Sequence, residues 1–222
     1  MKQKAKPIWV SGVFVLFLII LLISLVKAFI EGSHFVIDVI SFIVIWVLLF
    51  FYYQHLGVKD WVIPLAALAL FMSIAGLYNA YNIVFLNIGY DKYLHIATAF
   101  VATIIIFQIF MNRKHKTFYS SLILAFLVMA ALSSFSEIGE FIGSVYLGIS
   151  QGFLTTAAGE AYYPVSDLVR YDAQWDLIFS LAGGMLAIII LSVRRAIRPH
   201  NVLSEPTRTN TMSTKSKEHR ES

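Results

Sequence analysis

The sequence predicts an all-α polytopic membrane protein, with six transmembrane helices in residues 1–198 and both termini in the cytoplasm. Three observations carry this expectation. The chain of 222 residues is 59% hydrophobic and 14% charged, with a mean hydropathy of +0.76, whereas a soluble domain is about 25% charged. Six segments reach the ~20 apolar residues that a helix needs to cross the hydrocarbon layer. Lys and Arg gather on one set of connections, as they do in cytoplasmic loops. A soluble globular domain is excluded, because too little polar surface exists to cover such a core. The pI of about 9.2 and the net charge of +4 do not make this a nucleic-acid binder, because the basic residues border apolar spans. The absence of cysteine excludes disulfides, thiolate nucleophiles and Cys-based metal sites.

The first span is expected at about residues 8–30, with no charge from Ile8 to Val26. Its basic leader, Lys2, Lys4 and Lys6, resembles that of a signal peptide. The apolar run is too long for one, however, and no small-x-small cleavage site follows, so it reads as a retained anchor. The second span is expected at 35–56. The third, at 61–81, carries Pro64 in its first turn, where proline is tolerated. The fourth is expected at 91–111, the fifth at 117–147, longer than a span requires, and the sixth at 171–193. Between the last two lies a long connection, residues 149–170, with Gly152, Gly159 and Pro164. It is a candidate lid. Residues 199–222 are Ser/Thr-rich and charged, which predicts a disordered cytoplasmic tail.

With the N-terminus inside, every Lys and Arg except Lys27, Lys92 and Arg170 is cytoplasmic. That assigns a multi-pass protein of the plasma or inner membrane. The acids show the opposite bias. Outside the tail, every Asp and Glu except Asp60 lies at the outer face or in the outer half of a span. Acidic residues contribute little to topology, so a site at the outer face is the better explanation. Tyr78, Tyr81, Tyr90, Tyr93, Tyr146, Tyr162, Tyr163 and Tyr171 share that boundary. An interfacial aromatic belt accounts for them, and lining a substrate pocket is the alternative.

Three polar pieces stand out. Asp91 and His95 open the fourth span, Glu137 and Glu140 lie in the fifth, and Asp172 and Asp176 open the sixth. Each pair is spaced i,i+3 or i,i+4 and shares one helix face. His95 and Asp176 lie about one turn, ~5.4 Å, below their partners. From Thr117 to Glu137 the fifth span rises ~30 Å, to the same outer level. Carboxylates at mid-bilayer cost ~2.5–3.5 kcal/mol each, and less near the interface. Convergence of five of them with one imidazole calls for protonation, for cations from the protein, or for a bound metal. Lys92 and Arg170 flank the cluster, where either can instead reach lipid headgroups. A divalent metal held by Asp91, His95, Glu137, Asp172 and Asp176 is the simplest remedy. Imidazole plus carboxylates suits Zn, Mn, Fe or Mg. Glu140 is then the candidate catalytic base. Taken singly, Asp91 or Asp172 reads as a helix cap or dipole partner, and His95 as a polar bridge between helices. Asp38, on the second span, is a weaker seventh member. Gly139 and Gly143, and the Gly183-Gly184 pair, read as close-packing positions.

These pieces carry a resemblance. Asp91-Lys-x-x-His95, Ser136-Glu137-x-x-Glu140-Phe141 and Tyr171-Asp172-Ala-Gln-Trp-Asp176 resemble the YjdF-like family of small membrane proteins and, more distantly, the VanZ-like family. The resemblance covers roughly Gly89 to Leu191. The YjdF-like family implies no established reaction, and the VanZ-like name implies a link to glycopeptide resistance. Walker, G-x-S-x-G and H-E-x-x-H motifs are absent, as are the paired histidines of a phosphohistidine mechanism and the upstream half of the CDP-alcohol phosphotransferase motif.

The expected function is a metal-dependent enzyme acting on a lipid or lipid-linked envelope substrate at the outer leaflet. The alternatives are an ion- or proton-coupled transporter, or a noncatalytic membrane subunit or lipid-binding protein. Transport needs a polar route to the other side, and past Asp176 the sixth span offers only Ser180 and Ser192.

Overall fold

A computed structural model describes residues 5–33, 35–113, 117–146 and 172–197. The long apolar stretches fold into helices α1 (Ile8–Ile30), α2 (Phe35–Tyr52), α3 (Val62–Ile74), α4 (Tyr90–Met111), α5 (Phe118–Tyr146) and α6 (Asp172–Ile197). All but α3 are long and apolar enough to cross a membrane. Lipid offers the backbone no hydrogen-bond partner, so regular helix is the form such segments take there. The lid expected at 149–170 and the tail at 199–222 lie outside the described residues.

The third segment differs from its expected form. Its α-helix has 13 residues and runs on as 3-10 turns, Ala75–Tyr78 and Ala80–Asn82. Asn79 separates the two turns with φ +64, in the left-handed region, where a short polar side chain is tolerated and a continuous helix is not. The connection to α4 is a small antiparallel hairpin, with β1 (Val84–Phe85) paired to β2 (Ile88–Gly89).

Cross-contacts fix the helix directions. Lys6, before α1, donates to the Phe50 carbonyl at 2.6 Å, near the end of α2. The buried Trp46 indole donates to the Phe14 carbonyl at 3.1 Å. Ser24 and Tyr78 join α1 to the end of the third segment at 3.0 Å. The Lys59 amide donates to Gln108 Oε1 at 2.7 Å, near the end of α4. Arg194 lies over the Trp61 ring and Arg195 over Phe118. One end of the bundle is therefore aromatic and basic. At that end the Tyr53 hydroxyl donates to Asp60 Oδ1 at 2.9 Å. The opposite end carries Asp38, Asp91, Glu137 and Asp176.

Apolar burial cannot drive helices together inside lipid, so small residues and close packing do it. Ala66, Ala67 and Ala69 are buried along α3. On α6, a Cβ at Gly183 would collide with the Ile96 carbonyl of α4. A Cβ at Gly184 would collide with Met129 of α5. The glycine pair thus seats α6 tightly against both neighbours, as its spacing predicts.

Candidate functional site

Three helices meet where α6 wedges between α4 and α5. His95, Glu137 and Asp176 each bring one donor atom there, and these atoms all lie within 4.8 Å of one another. Asp176 is 2% exposed, and both Glu137 carboxylate oxygens are shielded from solvent. His95 presents Nε2 to Asp176 Oδ1 at 3.5 Å, beyond ordinary hydrogen-bond length. Its Nδ1 is 3.2 Å from Ser180 Oγ. A histidine whose Nδ1 is engaged keeps Nε2 for another partner, provided that Nδ1 carries the proton.

Lys92 turns inward, against the expectation that it could reach the headgroups. Its ammonium lies 2.6 Å from Asp176 Oδ1 and 2.7 Å from Asp91 Oδ2. It stands three residues before His95 on α4, on the face turned to α6. The low dielectric of that face makes the ion pair stronger than it would be in water. The protein thus supplies part of the charge compensation itself.

Below and beside the cluster is a cavity of about 300 Å³. Asp91, His95, Asp176 and Ser180 line it, with Thr98 from α4, Ser133 and Ser136 from α5 and Ser73 from α3. Asp38 reaches the same cavity from α2 and is 9% exposed. Tyr81 lines it too, its ring stacked near that of Phe35. One member of the tyrosine belt therefore faces the pocket.

Asp91, His95, Glu137 and Asp176 are thus brought together, with Asp38 on the same cavity. The side chains of Glu140 and Asp172 lie outside the described residues. Ser136 stood out in the sequence only as part of a motif and Ser180 only as a polar position of the sixth span, while Ser73, Ser133 and Thr98 did not stand out, yet spacing carries the signal. Ser180 lies four residues after Asp176, Thr98 three after His95 and Ser133 four before Glu137, each on the face of its acid or imidazole.

Toward the basic end, Thr103 donates to the Ala99 carbonyl at 2.8 Å, and Gln108 accepts from Lys59. Both are buried, and neither lines the cavity.

No match is found among curated proteins or among solved structures. Residues 9–196, which include the six described α-helices but for the outermost residues, match the family described as "Predicted membrane protein (DUF2238)". A protein built from several apolar helices long enough to cross a membrane agrees with that description, and the chain belongs to this family of predicted membrane proteins.

Proposed function

We propose that the chain is a six-span plasma- or inner-membrane protein with cytoplasmic termini, and that its outward-facing cavity is a divalent-metal-dependent site acting on a lipid or lipid-linked envelope substrate. One observation carries the metal: the donor atoms of His95, Glu137 and Asp176 lie within 4.8 Å of one another. A tetrahedral zinc with 2.0–2.1 Å bonds asks for separations of roughly 3.4 Å, so modest inward movement of the buried Asp176 and the half-buried His95 and Glu137 would bring three ligands to one ion. Mixed imidazole and carboxylate donors equally suit Mn, Fe or Mg. Asp91, and Asp172 one turn before Asp176 in the sequence, are the proposed further ligands. A divalent ion held there would supply Lewis acidity to a phosphoryl or acyl oxygen. Ser180 holds the imidazole, and Glu140 would act as general base, taking the proton of the attacking water or hydroxyl. A pocket between apolar helices, lined by hydroxyls and acids, supports a lipid as the substrate class. The three motifs shared with YjdF-like proteins fall inside residues 9–196, which supports one common site in that family.

A second reading is favoured by Lys92. Its pairing with Asp91 and Asp176 supports a noncatalytic polar cluster, neutralised from within, that binds lipid or a partner subunit.

Purified protein in nanodiscs of native lipid, supplied in turn with Zn, Mn, Fe or Mg, separates the two readings. Mass spectrometry of the lipids should detect headgroup cleavage or transfer with one of these metals and none after chelation. Unaltered lipids with every metal, while lipid still co-purifies, would favour the second reading.

A further inference from the structure

We propose that the hairpin joining the third segment to α4 is a lipid-seated wedge that fixes the depth of the α4 N-terminus, and with it the depth of the cavity mouth. Four consecutive apolar residues, Ile83, Val84, Phe85 and Leu86, are 55%, 43%, 61% and 74% exposed. The run to Tyr90 carries no charged residue. Among the described residues these side chains stay open, and a short hairpin this apolar does not stand stably in water.

The turn itself shows the same bias. Leu86 and Asn87 both have positive φ, +51 and +61, as the central residues of a type I′ turn must. Asn, Asp and Gly suit such positions. Asn87 obeys that preference, whereas Leu86 places a bulky apolar side chain in the left-handed region at the most exposed point of the hairpin. Local folding gives no reason for leucine there, but contact with lipid does.

The occupant is the bilayer leaflet rather than a protein, because the hairpin leads directly into α4, a helix long and apolar enough to cross a membrane. It is flanked by tyrosines with hydroxyls, as side chains at the headgroup boundary commonly are. Tyr93 ties it to α4, donating to the Phe85 carbonyl at 2.9 Å with the two rings 6.1 Å apart. The Tyr90 amide donates to the Ile83 carbonyl at 3.0 Å. The hairpin and the first turns of α4, with Asp91, Lys92 and His95, therefore move as a unit. This inference is independent of any bound metal.

The chain has no cysteine, so Leu86→Cys offers a single attachment point for an environment-sensitive fluorophore. In nanodiscs the label should emit to the blue of its value in water. It should be quenched by lipids brominated high on the acyl chain and shielded from iodide. A label at Glu31→Cys, an exposed residue after α1, should show the reverse preference. As a second variant, Leu86→Asn suits the turn and should fold, yet it should shift a label at Val84→Cys toward iodide. Iodide quenching of the Leu86 label with indifference to bromolipid would overturn the proposal. So would shielding from both quenchers, which would mean a protein partner on the hairpin.

Discussion

At the residue scale, Lys92 and Asp176 decide the electrostatics of the site. Asp176 Oδ1 faces the Lys92 ammonium at 2.6 Å and His95 Nε2 at 3.5 Å, so one buried oxygen serves both the protein's own cation and the proposed metal. Removing one partner of a buried ion pair costs roughly 3–5 kcal/mol. Lys92→Met should therefore lower the unfolding temperature. It should also make that temperature more responsive to added divalent metal than in the wild type, since the metal no longer competes with an ammonium. Thermal unfolding with and without Mn or Zn reads both effects, and equal metal response in the two proteins would contradict the shared-oxygen arrangement. Asp91, His95, Glu137 and Asp176 were legible from helical spacing alone, because ionisable groups in apolar spans are costly and therefore conspicuous. The inward turn of Lys92 was not legible. A lysine one turn into a span can snorkel or pair, and only the position of Asp176 on a neighbouring helix settles which.

At the element scale, α6 positions the site. Gly183 lets it approach the α4 backbone at Ile96, less than one turn beyond Ser180 and next to the level where Ser180 meets His95. Gly183→Ala would place a methyl group against the Ile96 carbonyl, which cannot yield as a flexible side chain could. Overpacking of this kind costs about 1–3 kcal/mol, and the displaced helix should also loosen the His95–Ser180 contact. Gly12 on α1 has nothing within 4 Å of its Cβ position, so Gly12→Ala is the matched control and should cost nothing. Comparing the chemical unfolding of the two variants checks this; equal stability would contradict the close approach. The glycine pair was readable as a packing signal. The hairpin was not, because Ile83-Val84-Phe85-Leu86 continues the apolar character of the preceding span and Leu86 carries no turn signature.

At the scale of the whole molecule, hydropathy located the helices well, because a length of ~20 apolar residues is a strong constraint. The first was expected at 8–30 and is observed at Ile8–Ile30. The third falls short, since its α-helix gives way to 3-10 turns around Asn79, a local backbone event invisible to a hydropathy window. The separation of charge between the two ends was equally legible, with basic residues and aromatic rings at one and buried acids at the other. The central claim is that α4, α5 and α6 build one shared metal centre. Metal content of the nanodisc-embedded protein tests it most directly, comparing the wild type with His95→Ala, Glu137→Gln and Asp176→Asn. The account predicts a single divalent ion per chain in the wild type and its loss from each variant. A wild type without bound metal, or variants that all retain it, would contradict the account.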